Sequence, residues 1–175
     1  MRFLARTLAF IAALSLCAQQ AAAQEISILR DSENEKLLKD LVNPLVLAAG
    51  MPKNSVDVVI LNDSSVNAQT AGGQVIYVNS GLINYADNAN QVQGVLAHEL
   101  GHIVGGHSIG IEQGINKATK ISVLSLLLGI AAAVAGAGDA AMAAMSMGQQ
   151  AAYGSLMSFS RAQEESADAA GSTYL

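Results

Sequence analysis

The five residues His98-Glu99-Leu100-Gly101-His102 leave this chain little local freedom. Two imidazoles four positions apart project from the same face on an α-helix, where both can reach a single metal ion. Glu99 lies beside them on the same turn. A bound zinc ion brings the pKa of its water down toward neutrality, and an adjacent carboxylate can take up the proton as the hydroxide attacks a carbonyl. The spacing therefore predicts His98 and His102 as metal ligands and Glu99 as a general base that does not bind the metal.

A catalytic zinc generally has three protein ligands and an open fourth position, so one more ligand must come from elsewhere in the chain. The sequence holds a single cysteine, Cys17, in a segment that export would remove, which leaves histidine or a carboxylate for the task. Glu164 is the best candidate, within Ser160-Arg161-Ala162-Gln163-Glu164-Glu165-Ser166-Ala167-Asp168. In a predicted helix Glu164 and Asp168 share a face, so one can bind metal while the other accepts a hydrogen bond from a ligating imidazole and fixes its tautomer. Glu165 is the nearest rival, but it points about 100° away around the helix. The remaining histidine is His107. A helix running on through Gly105-Gly106 turns it off the ligand face, which makes it a helix-end or surface residue, with a substrate or oxyanion contact as the functional alternative.

The first residues have the organisation of an export signal. Arg2 and Arg6 give a positive start, residues 7–18 an apolar run and Ala21-Ala22-Ala23 a small-residue cleavage site. Residues 1–23 are thus read as a signal peptide and 24–175 as one mature domain, exported to the periplasm. An apolar core of about a dozen residues is short for a membrane span of roughly 20. Cleavage leaves neither disulfides nor thiolate ligands. The formal charge is −5 with no basic cluster, so the electrostatic footprint of a nucleic-acid partner is missing.

Apolar residues at three- and four-residue spacing across 31–49 predict an amphipathic helix, capped by Ser32 with Glu35 as its reciprocal partner, and kinked or divided at Pro44. The β-branched run 56–61 and the alternating run 74–79 predict two strands of a small sheet, with Gly72-Gly73 as a tight connection. Asp87 or Asn88 caps the next helix, which carries His98, Glu99 and His102 and ends at Gly105-Gly106. Residues 121–138 carry no charge between Lys120 and Asp139, a length at the lower limit for a membrane span of about 20. Together with Met142, Met145 and Met147, this segment is expected to form a helical hairpin, buried or lying on the surface; membrane contact through 121–147 is the competing reading.

At these residues the chain resembles peptidase family M48, the zinc metalloendopeptidases related to the CAAX prenyl protease and the HtpX protease, and within it the periplasmic, signal-bearing branch. The resemblance runs from about Asp31 to Leu175. It is carried by Asn43-Pro44-Leu45, by Asn67-Ala68 followed by Gly72-Gly73, by Ser80-Gly81-Leu82, by Gly94-Val95-Leu96-Ala97-His98-Glu99-Leu100-Gly101-His102, and by Ser160-Arg161 with Glu164-x-x-Ala167-Asp168. HExxH alone is shared by many protease families; the separated Glu-x-x-Ala-Asp makes this match specific. The resemblance implies an α+β fold of the gluzincin-like zincin type, a small β-sheet packed on the HExxH helix with a mainly helical C-terminal half. It also implies one zinc ion per chain, Glu164 as third ligand, Asp168 as the acid behind a ligating histidine, and the strand at 74–79 lining the cleft and pairing with an extended substrate. The family usually continues well past the position of Leu175, so the domain is expected to be incomplete at its C-terminus.

The activity so implied is zinc-dependent endopeptidase cleavage of polypeptides, misfolded envelope proteins among them. The alternative is an envelope quality-control protein of a chaperone-like kind, which binds its clients while the zinc site stays closed or idle. The apolar 121–147 segment motivates that alternative.

Overall fold

The computed structural model describes residues 27–175, so the expected signal peptide and Cys17 lie outside the described residues. Helix α1 spans Ser32–Ala48. Its cap is Asp31, one residue earlier than expected: the carboxylate accepts from the backbone N–H groups of Glu33 and Asn34, satisfying two of the donors a helix start leaves free. Pro44 lies inside α1 without dividing it. A proline there removes one ladder bond, and burial of Val42, Leu45 and Val46 around it holds the helix together.

Three strands follow, β1 Asp57–Leu61, β2 Ala68–Thr70 and β3 Val75–Asn79. β3 is central, parallel to β1 with Val58 opposite Ile76, and antiparallel to β2 with Gln69 opposite Tyr77. This corrects the expectation that the 74–79 strand offers an edge for substrate, because both of its sides are taken. The edge strands are β1, against which Ile28 and Leu29 pair, and β2, a strand too short to read by alternation. Gly72 and Gly73 both have positive φ, 87° and 70°, the backbone that turns β2 back into β3.

A short helix α2, Ser80–Tyr85, leads to α3, Ala89–Val104, whose cap is Asn88, with its side chain accepting from the Gln91 N–H. Val58 and Ile60 of β1 and Ile76 and Val78 of β3 meet Leu38, Val42, Leu45 and Val46 of α1 and Val92, Leu96 and Leu100 of α3 in one core. Each such side chain contributes about 1.5–3 kcal/mol by leaving water. That burial fixes the rotation of α3, and with it the direction in which His98 and His102 point.

Two long helices complete the chain, α4 His107–Val134 and α5 Gly138–Tyr174, joined by a tight turn at Gly136. They form the expected helical hairpin, but it is not buried. The buried residues of α4 are Gly114 and Gly129, and those of α5 are Ala141, Ala152, Ala167 and Gly171. Gly114 and Gly129 of α4 make room for Phe159 and Met145 of α5, and Ala167 and Gly171 pack on α3, while Val123, Leu124, Leu127, Leu128 and Ile130 stand exposed. By length and composition α4 could cross a membrane, and only 6% of its most apolar window is buried.

Candidate metal centre

Residues His98 and His102 lie one turn apart on α3, with their rings edge to face. Their Nε2 atoms stand 3.1 Å apart. Oε2 of Glu164 on α5 lies 3.4 Å from Nε2 of His98 and 3.6 Å from Nε2 of His102. A tetrahedral zinc ion at about 2.0–2.1 Å from each ligand separates its ligand atoms by roughly 3.3–3.4 Å. The triangle of Nε2, Nε2 and Oε2 therefore has the edge lengths of three corners of such a tetrahedron. Two imidazoles and a carboxylate also form the donor set zinc takes in catalytic sites.

The close approach of α5 to α3 brings Glu164 there. A side-chain carbon on Gly171 would lie 3.0 Å from the His98 backbone nitrogen, and Ala167, between Glu164 and Gly171 on the same face, is fully buried. One turn beyond Glu164, Asp168 places Oδ1 2.7 Å from Nδ1 of His98. An imidazole facing metal through Nε2 must carry its proton on Nδ1, and the Asp168 carboxylate accepts that proton's hydrogen bond. Glu165 is exposed and makes no contact with the cluster among the described interactions.

Glu99 points the other way from the solvent, under the sheet edge, and is 8% exposed. Burial pushes its carboxyl above the ordinary range; the charge of His98 works against the shift, Glu164 adds to it, and the hydrogen-bonding backbone of Thr70 on β2 opposes it. A carboxylate whose proton affinity is raised in this way is suited to act as a general base. His102 is moved down, first by burial and then by the charges of His98 and His107, against the pull of Glu164. A neutral imidazole is the form that offers a lone pair to a metal.

His107 does not sit off the ligand face. α3 stops at Val104, Gly106 adopts φ 63°, and α4 begins with His107 turned back on the site. Its Nδ1 lies 2.9 Å from Nδ1 of His102. A groove of about 440 Å³ runs past His102, lined by Met51, Gly73, Gln74, Ile103, Val104 and Ile109 among others. Sequence reasoning missed Thr70, Gly101, Gln163 and Gly171 as parts of this centre. Only the small residues Ala167 and Gly171, one turn apart on a helix face, carried a readable signal, that of close packing.

A small mixed sheet above an HExxH helix, with the facing carboxylate supplied by a later helix, defines a gluzincin-like zincin. Residues 32–175 match Peptidase family M48, and the chain belongs to that family. It is 30% identical over 138 residues to the beta-barrel assembly-enhancing protease of Yersinia pestis, covering 77% of this chain and 27% of that protein. Against the protein of the same name from Escherichia coli K12 it is 27% identical, over 79% of this chain and 29% of the relative. A protease HtpX homolog of Bacillus velezensis is 40% identical over 82 residues, 45% of this chain and 27% of the relative. The chain thus spans under a third of the length of these relatives.

Proposed function

We propose that this chain is a zinc-dependent metalloendopeptidase that cleaves peptide bonds in exported or envelope proteins, with one zinc ion held by His98, His102 and Glu164. The observation that carries the reading is the triangle of 3.1, 3.4 and 3.6 Å among Nε2, Nε2 and Oε2. Bound there, zinc would supply Lewis-acid polarisation of the scissile carbonyl and a water acidic enough to give up its proton near neutrality. Glu99 accepts that proton and returns it to the leaving amine, a role its raised proton affinity suits. Asp168 holds His98 in the Nδ1–H tautomer. The outer edge of β2, unpaired among the described residues, pairs with the extended backbone of the substrate.

The names of the relatives support polypeptide substrates and an envelope location, misfolded or β-barrel envelope proteins in the periplasm being the fitting class. The exposed apolar hairpin supports contact with the membrane through 121–147. The same hairpin favours the second reading, a chaperone-like protein that holds apolar clients while its zinc centre is idle. Glu99→Gln separates the two. The variant is expected to retain zinc and lose casein cleavage by at least about a hundredfold, the scale of general-base removal. Cleavage at the wild-type rate by a clean preparation of that variant sinks the proposal.

A further inference from the structure

We infer that His107 is a positioning residue of the metal centre, holding His102 in the tautomer and orientation that present Nε2 to zinc; the inference rests on the metal site proposed above. His102 faces the cluster with Nε2, at 3.1 Å from Nε2 of His98 and 3.6 Å from Oε2 of Glu164. A ring that donates a lone pair from Nε2 carries its proton on Nδ1. That Nδ1–H points at Nδ1 of His107, 2.9 Å away, which must then accept and keep its own proton on Nε2. The two ligand imidazoles are thus steadied in the same way from opposite sides, His98 by the Asp168 carboxylate and His102 by a neutral imidazole.

Three further features show that the His107 ring is held in place. Gly105 leaves its space: a side-chain carbon there would stand 2.4 Å from Nε2 of His107. Gly106, at φ 63°, provides the left-handed turn that reverses the chain between α3 and α4. Gln163, the neighbour of Glu164 on α5, donates from Nε2 to the His107 carbonyl at 3.2 Å. The residue that anchors the His107 backbone therefore sits beside the residue that supplies the carboxylate ligand, so ring and carboxylate share one support.

The chemistry of an imidazole in this place differs from that of a second carboxylate. Asp168 pushes electron density into His98 and adds negative charge near the ion. His107 accepts the same kind of hydrogen bond without adding charge, so the centre gains orientation while keeping its electrophilicity.

The test measures zinc affinity by competition with a chromophoric chelator, in the Glu99→Gln background so that no self-digestion interferes. His107→Leu removes the acceptor at nearly constant size. His107→Asn restores it, because its Oδ1 takes the position of Nδ1. Gly105→Ala displaces the ring while its own φ of −70° suits alanine. His107→Leu and Gly105→Ala are expected to weaken zinc binding roughly ten- to a hundredfold, the usual cost of losing such a partner, and His107→Asn to recover most of it. The zinc-free melting temperatures are expected to stay together. Equal affinity in all variants overturns the inference, and so does an equal loss in Leu and Asn, which would make the role packing. Failure of the parent protein to bind zinc overturns the metal site itself, an outcome separate from either of these.

Discussion

Gly101 meets Ala167 backbone to backbone: a side-chain carbon on Gly101 would stand 2.6 Å from the Ala167 carbonyl oxygen. The turn of α3 that ends in His102 and the turn of α5 that begins at Glu164 therefore touch with no side chain between them. That contact sets the distance across which a carboxylate and two imidazoles can face one ion.

Gly101→Ala accordingly drives α5 away from α3. Overpacking of this kind costs about 1–3 kcal/mol of stability. The expected outcome is a lower melting temperature together with weakened zinc binding, measured by thermal unfolding and chelator competition on the same preparation. Normal zinc affinity in a destabilised protein would disconnect the helix contact from the metal geometry.

Glu164 and Glu165 are adjacent on α5 yet face different surroundings, one at the cluster and one in solvent. Zinc content per chain is expected to fall well below one in Glu164→Ala and to stay at the wild-type value in Glu165→Ala. Elemental analysis after dialysis reads the difference. The reverse result would assign the third ligand to Glu165.

The buried Glu99 gives the zinc-free protein a particular pH dependence. Its folded-state pKa is raised, first by burial. Between the ordinary carboxylate value and the raised one, the native state holds more protons than the unfolded state, so stability falls as pH rises through that window. Glu99→Gln removes the effect. Wild type and variant are expected to unfold alike below the window, and the variant to be the more stable above it, by urea titration of zinc-free protein. His102 acts oppositely: its lowered value makes stability rise with pH up to the ordinary imidazole range.

Leu124, Leu127 and Leu128 are more than half exposed in the uncharged stretch 121–138. Wild type is expected to float with phosphatidylcholine vesicles in a density gradient, since each leucine that enters the acyl region gains about 1.5–3 kcal/mol. Leu124→Glu with Leu127→Glu is expected to leave the protein at the bottom of the gradient with its zinc content unchanged. Flotation of both proteins alike would remove the hairpin from membrane contact.

The motif helix, with Asn88 as one of two expected caps, and two of the three strands were legible because burial leaves a period in the sequence: Val92, Leu96 and Leu100 for the helix, Ile76 and Val78 for the strand. The proximity of His98, His102, Glu164 and Asp168 was legible because metal binding would dictate such spacing, and the fold brings all four together. β2 was not, since three residues are too few to show alternation. The exposure of the hairpin was also hidden. An uncharged run specifies a helix but not what covers it, and here the glycines of α4 receive side chains of α5 while most of its leucines face outward. The placement of His107 depended on the backbone of Gly106, whose φ of 63° no neighbouring residue announces.

Between His102 and Glu164 the chain travels out along α4 and back along α5, and only the foot of that excursion touches the centre. Lengthening or shortening both arms by the same number of turns would leave the foot as it is. The reach of the hairpin is thus a quantity that sequence change can tune separately from the candidate metal centre, so that one foot can serve at different heights above whatever surface the tip meets.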